Sequence, residues 1–299
     1  MISLLSFLLF SGGILYGVYL LRHGLHLLTY HSFKIWLSKL TDRTWKGILL
    51  GVLCTTLLQN STAIIIVVLI LVSVQLLGLK SAVDIVIGAN AGAVIILEFM
   101  TSSLAACMAP LALIGAMLSI MKSKTAVYSG YALMGTALIF GGIWGLNQLV
   151  LPLQDMQIVH EWFLFTNDDP FLAILSGTFL STVTQSMTTL TEIAMNILPE
   201  AALSLDTSIL FTLGGNLGLV IPVLFLSMVL GRTPFFIALT YTGLNVTGAL
   251  LFYPLSHLLL TQYDLASQPL EQIYLTNLFV NTMMTILMLP FLKKFKTFL

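Results

Sequence analysis

Charged residues are scarce in this sequence. Aspartate, glutamate, lysine and arginine make up 8% of the 299 residues, whereas 58% are hydrophobic. A soluble domain carries roughly 25% charged residues, so the composition excludes a soluble enzyme, a nucleic-acid-binding protein and a disordered chain. Repeated apolar runs of about 20 residues instead predict an all-α polytopic membrane protein, with residues 1–299 forming a single membrane domain.

Cysteine is rare as well. Cys54 and Cys107 both lie inside apolar runs, which excludes a disulfide framework and a cysteine-ligated metal cluster. The sequence also lacks the H-E-x-x-H, P-loop and G-x-S-x-G motifs, so we expect no enzyme activity, no bound metal and no cofactor. The first apolar run lacks a preceding basic segment and predicts a transmembrane helix, not a cleaved signal peptide.

The few basic residues indicate a topology. Two apolar stretches, 47–79 and 171–199, are interrupted by polar residues and are predicted to be re-entrant hairpins. With the N-terminus outside and the C-terminus inside, this places all 12 lysines and arginines on the inner side of the cytoplasmic membrane. Lys80, Lys122 and Lys124 would move outside if the two stretches crossed. The predicted single crossings are 2–21, 81–101, 104–121, 125–150, 208–230, 234–259 and an additional C-terminal span at 273–292.

The interruptions belong to an internal repeat. Gln59 aligns with Gln185, and Asn90 aligns with Asn216, at the same offset of 126 positions. Three crossings separate the starts of the two copies, and an odd number inverts the second copy. Inverted repeats with broken helices and re-entrant hairpins are typical of secondary transporters, whose sites lie near the membrane midplane. The repeats are predicted to cover about 1–124 and about 125–260.

The polar residues at the two hairpin tips are the candidate substrate site. Lipid offers no hydrogen bonds, so non-helical backbone at membrane depth persists only where protein or a water-filled cavity satisfies it. Tips that enter from opposite faces would meet near the midplane. Ordinary hydrogen bonding between helices is the alternative for the two glutamines. The predicted substrate-binding residues are Gln59, Asn60, Ser61, Thr62, Gln185, Ser186, Thr188 and Thr189.

Glycine-rich elements at 88–92 and 214–216 predict two broken helices, whose free ends attract ions. Glycines of these elements also form small-xxx-small patterns, which predict close helix packing. Carboxylates deep in apolar spans indicate function, although a local ion pair or a protonated core acid is the alternative. The predicted ion-binding residues are Asn90, Asn216, Glu98, Glu192, Thr56 and Thr182.

Two of the remaining polar patterns have simpler interpretations. The hydroxyls of Thr56 and Thr182 can bond back to the preceding turn of their own helix, which is the alternative to ion binding. Asp84 follows Lys80 by four positions, and this spacing predicts an ion pair on the surface of a helix.

The motifs resemble those of a known family. GILLGVLCTTLLQNSTA at residues 47–63 resembles the G-x3-G-x3-T-x3-QSSSAT hairpin of the type II sodium/phosphate cotransporters, and GANAG at 88–92 is similar to their GANIGT element. TVTQSMTT at 182–189 and GNLG at 215–218 supply the second copy. The resemblance extends from about residue 8 to 260, and we expect no C-terminal regulatory domain of the kind common in bacterial members.

This resemblance implies a symporter that carries sodium with phosphate or a similar small oxyanion. No lysine or arginine is predicted in the membrane interior, so a bound anion would lack a fixed countercharge, which favours entry with sodium or a proton. The open alternatives are a proton- or sodium-coupled transporter of another solute, a membrane-embedded phosphatase and a passive channel. The expected partners are phosphate, sodium and the lipid bilayer, without nucleic acid; a homodimer also fits the pattern.

Overall fold

The computed structural model describes residues 2–28, 31–58, 60–98, 105–150, 152, 157–167, 169–187, 189–191, 193, 204–263, 275–276 and 278–287. Within these ranges the secondary structure is helical and contains no strand. The longer helices are α1 (Ile2–Leu27), α2 (His31–Leu40), α3 (Thr44–Leu58), α4 (Ser61–Ser73), α5 (Leu79–Glu98), α6 (Ala105–Ser119), α7 (Lys124–Val150), α8 (Gln157–Thr166), α9 (Pro170–Thr184), α10 (Leu205–Gly218), α11 (Val220–Leu230), α12 (Arg232–Tyr263) and α13 (Leu278–Leu287).

Four helical stretches of the described chain are long and apolar enough to cross a membrane. Each coincides with a crossing predicted from the sequence, and the prediction of an all-helical membrane protein is confirmed for the described residues. The predicted crossings at 81–101 and 104–121 coincide with α5 and α6. The four stretches are Leu4–Leu27, Lys124–Val150, Asp206–Leu230 and Arg232–Leu255.

The helices on both sides of the tips end where the polar residues interrupt the apolar pattern. α3 ends at Leu58 and α4 begins at Ser61. α9 ends at Thr184, and residue 187 is helical again. Gln185 between them adopts a left-handed conformation, with φ 54° and ψ 28°. A left-handed residue is a common way to end a helix, and it turns the chain sharply.

α4 occupies the core of the molecule. Its sequence is apolar on every side, and a helix of this kind is buried all round. Ala63, Ile65, Leu69 and Ile70 are fully inaccessible to solvent. Around α4 lie residues of α1, α5, α7, α11 and α12. The first tip, which is the turn between α3 and α4, therefore adjoins the helix at the centre of the fold.

α3 and α5 pack in parallel with their backbones in contact. A Cβ atom added at Gly88 would overlap the carbonyl oxygen of Ile48. The first turns of the two helices are in contact, at Gly47 of α3 and Asp84 of α5. Near the end of α3, a Cβ at Gly92 of α5 would lie 2.9 Å from the Cβ of Thr55. Because the helices are parallel, α4 returns the chain towards the end at which α3 begins.

The same packing recurs in the second half between α9 and α10. A Cβ at Gly214 would overlap the carbonyl oxygen of Ile174, and one at Gly177 would overlap that of Phe211. These positions follow their first-half counterparts by 126 residues. The starts of the paired helices are also joined in both halves. Ser81 Oγ donates to the Thr41 carbonyl oxygen at 3.2 Å, and Ser204 N donates to Asn167 Oδ1 at 2.8 Å.

α1 and α7 pack against each other in opposite directions. A Cβ at Gly17 would lie 2.8 Å from the carbonyl oxygen of Gly135, and one at Gly24 would lie 2.7 Å from that of Tyr128. Near the other ends of the two helices, Phe10 occupies the space beside Gly145. These helices begin 122 positions apart, at Ile2 and Lys124, and are the first helices of the two predicted repeats.

The predicted helix breaks at 88–92 and 214–216 are wrong. α5 remains helical through Asn90 to Glu98, and α10 remains helical through Asn216 to Gly218. Leu219 after α10 keeps right-handed helical dihedral angles, and its N–H donates to the Gly215 carbonyl oxygen. The glycines serve packing: Gly88, Gly92 and Gly214 allow the backbone of α3 or α9 to approach closely, and Gly215 leaves space for the side chains of Leu190 and Met187.

The prediction that Asp84 lies on the surface of its helix is also wrong. Asp84 is 0% exposed, whereas Lys80 is exposed. The first turns of α5 face α3, and Gly47 of α3 leaves the space that the Asp84 side chain occupies. Lys80 and Asp84 lie four residues apart on one helix, but the packing of α3 buries the Asp84 side chain and leaves Lys80 exposed.

Candidate functional site

The two tips are in direct contact. Asn60 Nδ2 donates to the carbonyl oxygen of Gln185 at 3.1 Å, which joins residues 125 positions apart. Asn60 Oδ1 accepts from the Ala63 backbone N–H at 2.7 Å and so caps α4. Asn60 is 7% exposed and Gln185 is 6% exposed. The structure therefore brings together two of the predicted site residues inside the protein.

Gln185 also caps the end of α9 with its side chain. Nε2 donates to the carbonyl oxygens of Ser181 at 3.2 Å and Thr182 at 2.6 Å. The last carbonyls of a helix have no partner within the helix, although the Ser181 carbonyl also accepts from the Gln185 backbone N–H at 2.8 Å. Gln185 Oε1 is buried and has no hydrogen-bond partner among the described residues. The side chain thus presents one unused acceptor at the contact between the tips.

Ser186 has the capping role in the second tip that Asn60 has in the first. Its Oγ accepts from the Thr189 backbone N–H at 3.3 Å and from Thr189 Oγ1 at 3.1 Å. Thr184 Oγ1 reaches the Ser186 carbonyl oxygen at 3.5 Å. Ser186 and Thr189 are each 6% exposed, so this network is buried beside Gln185.

The first half contains a group of buried polar atoms without partners. They are the Oγ1 atoms of Thr55, Thr56 and Thr62 and the Nδ2 atom of Asn90, none of which has a hydrogen-bond partner in the described part of the chain. Thr55 and Thr62 are at most 1% exposed, and Asn90 is 5% exposed. Buried polar groups are normally hydrogen-bonded, so several exceptions around one tip indicate a site for a ligand.

The described counterparts in the second half, Ser181, Thr182 and Asn216, are paired. Thr182 Oγ1 donates to the carbonyl oxygens of Thr178 at 2.7 Å and Gly218 at 3.2 Å. This includes the bond to the preceding turn that was the alternative at Thr182. Asn216 Nδ2 donates to the hydroxyl oxygen of Tyr253 at 3.1 Å. Sequence analysis did not identify Tyr253 as a site residue, because it lies in an apolar run 37 positions from Asn216.

Several other predicted site residues lie at the edge of the two tips or outside the described part of the chain. Ser61 is half-buried at the start of α4. Glu98 is the last residue of α5, but its side chain lies outside the described residues. Gln59, Thr188 and Glu192 also lie outside them.

The helix ends give the tips a mixed electrostatic character. At each tip, a helix C-terminus with exposed carbonyls adjoins the N-terminus of the next helix, so one side attracts cations and the other attracts anions. No described lysine or arginine is buried, and Lys46 is the one that is half-buried rather than exposed. The described interior therefore contains neutral oxygen and nitrogen groups near the tips but no fixed positive side chain.

Comparison with known proteins identifies relatives of this chain. Over 292 residues the chain is 26% identical to "Uncharacterized protein YqeW" of Bacillus subtilis (strain 168), covering 97% of this chain and 95% of that protein. It is 23% identical to "Putative inorganic phosphate export protein YjbB" of Escherichia coli (strain K12) over 293 residues. The alignment covers 54% of that protein, so the chain spans about half its length. No solved structure matches.

A family model agrees with the motifs. The model described as Na+/Pi-cotransporter matches residues 14–148, which run from α1 to α7 and include the first tip and Asn90. The description of the family and the name of the Escherichia coli relative concern transport. The resemblance that the motifs indicated is therefore confirmed: this chain matches the Na+/Pi-cotransporter family over residues 14–148.

Proposed function

We propose that this protein carries inorganic phosphate, or a similar small oxyanion, across the cytoplasmic membrane together with sodium. The observation that supports this most directly is the contact between Asn60 and Gln185, at which the two tips meet. Unpaired polar atoms surround one of these tips. The family match and the phosphate export named for the Escherichia coli relative support phosphate as the substrate.

The two halves form an inverted repeat, in which α3–α4 and its second-half counterpart are re-entrant hairpins from opposite membrane faces. The antiparallel packing of α1 and α7 supports inversion, because these are the first helices of the two halves. The parallel packing of α3 with α5 supports a hairpin, because α4 must turn back between them. Both features are typical of secondary transporters.

Charge at the helix starts supports a topology with the N-terminus outside and the C-terminus inside. Lys46 and Lys80 lie in the first turns of α3 and α5, which begin at one end of the molecule. Asp169 and Asp206 lie at the starts of α9 and α10. If the second half is inverted, the acidic pair faces outwards and the basic pair faces the cytoplasm, and the positive-inside rule favours this side for the two lysines.

Sodium is the proposed coupling ion because the site offers neutral oxygens and no fixed positive charge. Hydroxyl and amide oxygens are ligands for hard cations, and a bound cation would offset the charge of phosphate in a site of low polarity. Asn90 and Thr56 are the proposed first-half ligands, with Thr182 and Asn216 as their second-half counterparts. Glu98 and Glu192 are the proposed coupling carboxylates, through which a proton could replace sodium.

Flux of radiolabelled phosphate in proteoliposomes tests this function. The full chain is reconstituted with a sodium gradient directed inwards, the same gradient directed outwards, or potassium in place of sodium, with protein-free liposomes as the control. We expect phosphate to follow the sodium gradient in either direction and to stop in potassium, since symport is reversible and the gradients set its direction. Phosphate flux equal to that of protein-free liposomes in every condition would contradict the proposal.

A further inference from the structure

The outer side of α3 carries an apolar stripe that has a counterpart on α9. Its side chains recur every four positions, which places them along one side of the helix, and they are 46% to 74% exposed. They are Trp45, Leu49, Leu53 and Leu57. The stripe on α9, 126 positions later, consists of Phe171, Leu175 and Phe179. Both stripes therefore offer a surface of the kind that lipid acyl chains cover.

The segments that precede the two stripes have opposite charge. Residues 31–46 contain four basic residues and one acidic residue, which gives a net charge of +3. Residues 157–172, at the same positions in the second half, contain three acidic residues and no lysine or arginine, which gives −3 with histidine neutral. The halves thus share the apolar stripe but differ by six charges at its upper end.

Three cations of the first half form an exposed group, which we call the basic segment: Lys34 and Lys39 of α2, and Arg43 just before α3. Lys46 is not part of it, because Lys46 Nζ lies 2.8 Å from Asp42 Oδ1 in an ion pair. No carboxylate of the described chain forms such a pair with the basic segment. Its three charges therefore remain exposed beside the stripe of α3.

The position of α2 suits the boundary between membrane and water. Leu37 is 5% exposed and packs into the core, whereas the neighbouring Trp36 is 56% exposed. Helical spacing places Lys34 and Lys39 on the two sides of the apolar face formed by Trp36, Leu37 and Leu40. A short amphipathic helix with lysines at the edges of its apolar face lies at the level of the lipid headgroups, where tryptophan is also enriched.

We propose that the basic segment and the stripe of α3 together bind an anionic phospholipid. The phosphodiester of the headgroup lies among the three cations, and an acyl chain follows the stripe from Trp45 towards Leu57. A zwitterionic lipid fits less well, because its own ammonium group is repelled by the basic segment. A second copy of this chain would bring three more positive charges to the same place. The acidic segment above the stripe of α9 repels the anionic headgroup, so the second half lacks this preference.

Quenching of tryptophan fluorescence by brominated acyl chains locates the lipid. The full chain is purified in a neutral detergent, as a Trp144→Phe/Trp162→Phe variant that retains Trp36 and Trp45. Brominated phosphatidylglycerol should quench it at lower concentration than brominated phosphatidylcholine. The matched variant Trp36→Phe/Trp45→Phe, which retains the other two tryptophans, should show no such preference. Equal quenching by the two lipids in the first variant would overturn the proposal.

Removal of charge tests the basic segment in the same assay. Lys34→Gln/Lys39→Gln should raise the phosphatidylglycerol concentration for half-quenching about 30-fold, since each basic residue near an anionic lipid surface contributes about 1 kcal/mol. Lys122→Gln/Lys124→Gln removes the same charge from two exposed lysines between α6 and α7 and should leave that concentration unchanged. An equal shift in both variants would show a general effect of net charge and would overturn the site.

Two further measurements separate the lipid from other occupants. Inorganic phosphate, compared with sodium chloride at equal ionic strength, should not displace the brominated lipid. Displacement would assign the lysines to the free ion and overturn the proposal. Light scattering gives the size of the protein, and a dimer that protects Trp36 and Trp45 from both lipids would place a second copy on the stripe instead. None of these measurements requires transport, so they decide the lipid site even if phosphate flux fails.

Discussion

Gln185 combines a backbone turn with side-chain contacts at the second tip. Its left-handed conformation ends α9, its Nε2 binds two carbonyl oxygens of that helix, and its own carbonyl accepts from Asn60. A non-glycine residue with positive φ is unusual and persists when its surroundings compensate for the strain. The side chain therefore contributes to the shape of the tip as well as to its polarity.

Gln185→Gly and Gln185→Ala separate these two contributions. Both variants lose the carboxamide, so both should transport at least about tenfold more slowly than the wild type in liposomes. Glycine accepts the left-handed conformation without the cost of roughly 1–2 kcal/mol that alanine carries, so Gln185→Gly should unfold at the higher Tm. If Gln185→Gly transported at the wild-type rate, the Gln185 side chain would not be part of the site, and only the backbone of this residue would contribute.

At the residue scale, sequence analysis located the tips but not the partners. The interruption of an apolar run by glutamine predicted both helix ends, because unpaired polar groups are costly in lipid. The pairing of Asn216 with Tyr253 depends on how α10 meets α12, which no spacing within one helix reveals. The burial of Asp84 likewise depends on the approach of α3.

Helices in this fold meet through glycine. The pairs α3–α5 and α9–α10 each bring backbone against backbone, at Gly88 and Ile48 in one and at Gly214 and Ile174 in the other. Sequence analysis predicted both close packing and broken helices at these glycines, and the structure has close packing without a break at either glycine. A glycine cluster alone cannot separate the two, because both need a residue without a side chain.

Gly88→Ala and Gly214→Ala should therefore each destabilise the protein. The added methyl group would overlap a carbonyl oxygen of the neighbouring helix, and overpacking costs about 1–3 kcal/mol. Gly243→Ala in α12 is the matched control, since a Cβ there meets nothing within 4 Å and alanine favours a helix by up to about 1 kcal/mol. Thermal unfolding in detergent measures all three. Equal Tm values for Gly88→Ala and Gly243→Ala would refute the backbone packing.

The whole molecule is organised around two similar halves. Helices α2, α3 and α5 begin at His31, Thr44 and Leu79, and α8, α9 and α10 begin 126 positions later in each case. The sequence indicated this offset through a few glutamines, asparagines and glycines. The odd number of crossings between the two copies also predicted that α1 and α7 run in opposite directions, as their packing shows. The sequence could not show which residues of the two helices meet, because that depends on tertiary contacts.

The central claim is that the two hairpins enter from opposite membrane faces and meet at their tips. Labelling of single cysteines with a membrane-impermeant thiol reagent tests it most directly, at positions that correspond in the two halves. His31→Cys and Gln157→Cys are such a pair, in a chain whose Cys54 and Cys107 are replaced by alanine, with Lys80→Cys as a second inner position. We expect Gln157→Cys to react only from outside, and His31→Cys and Lys80→Cys to react only from inside. Reaction of His31→Cys and Gln157→Cys from the same face would contradict the inverted repeat and the meeting of the tips from opposite sides.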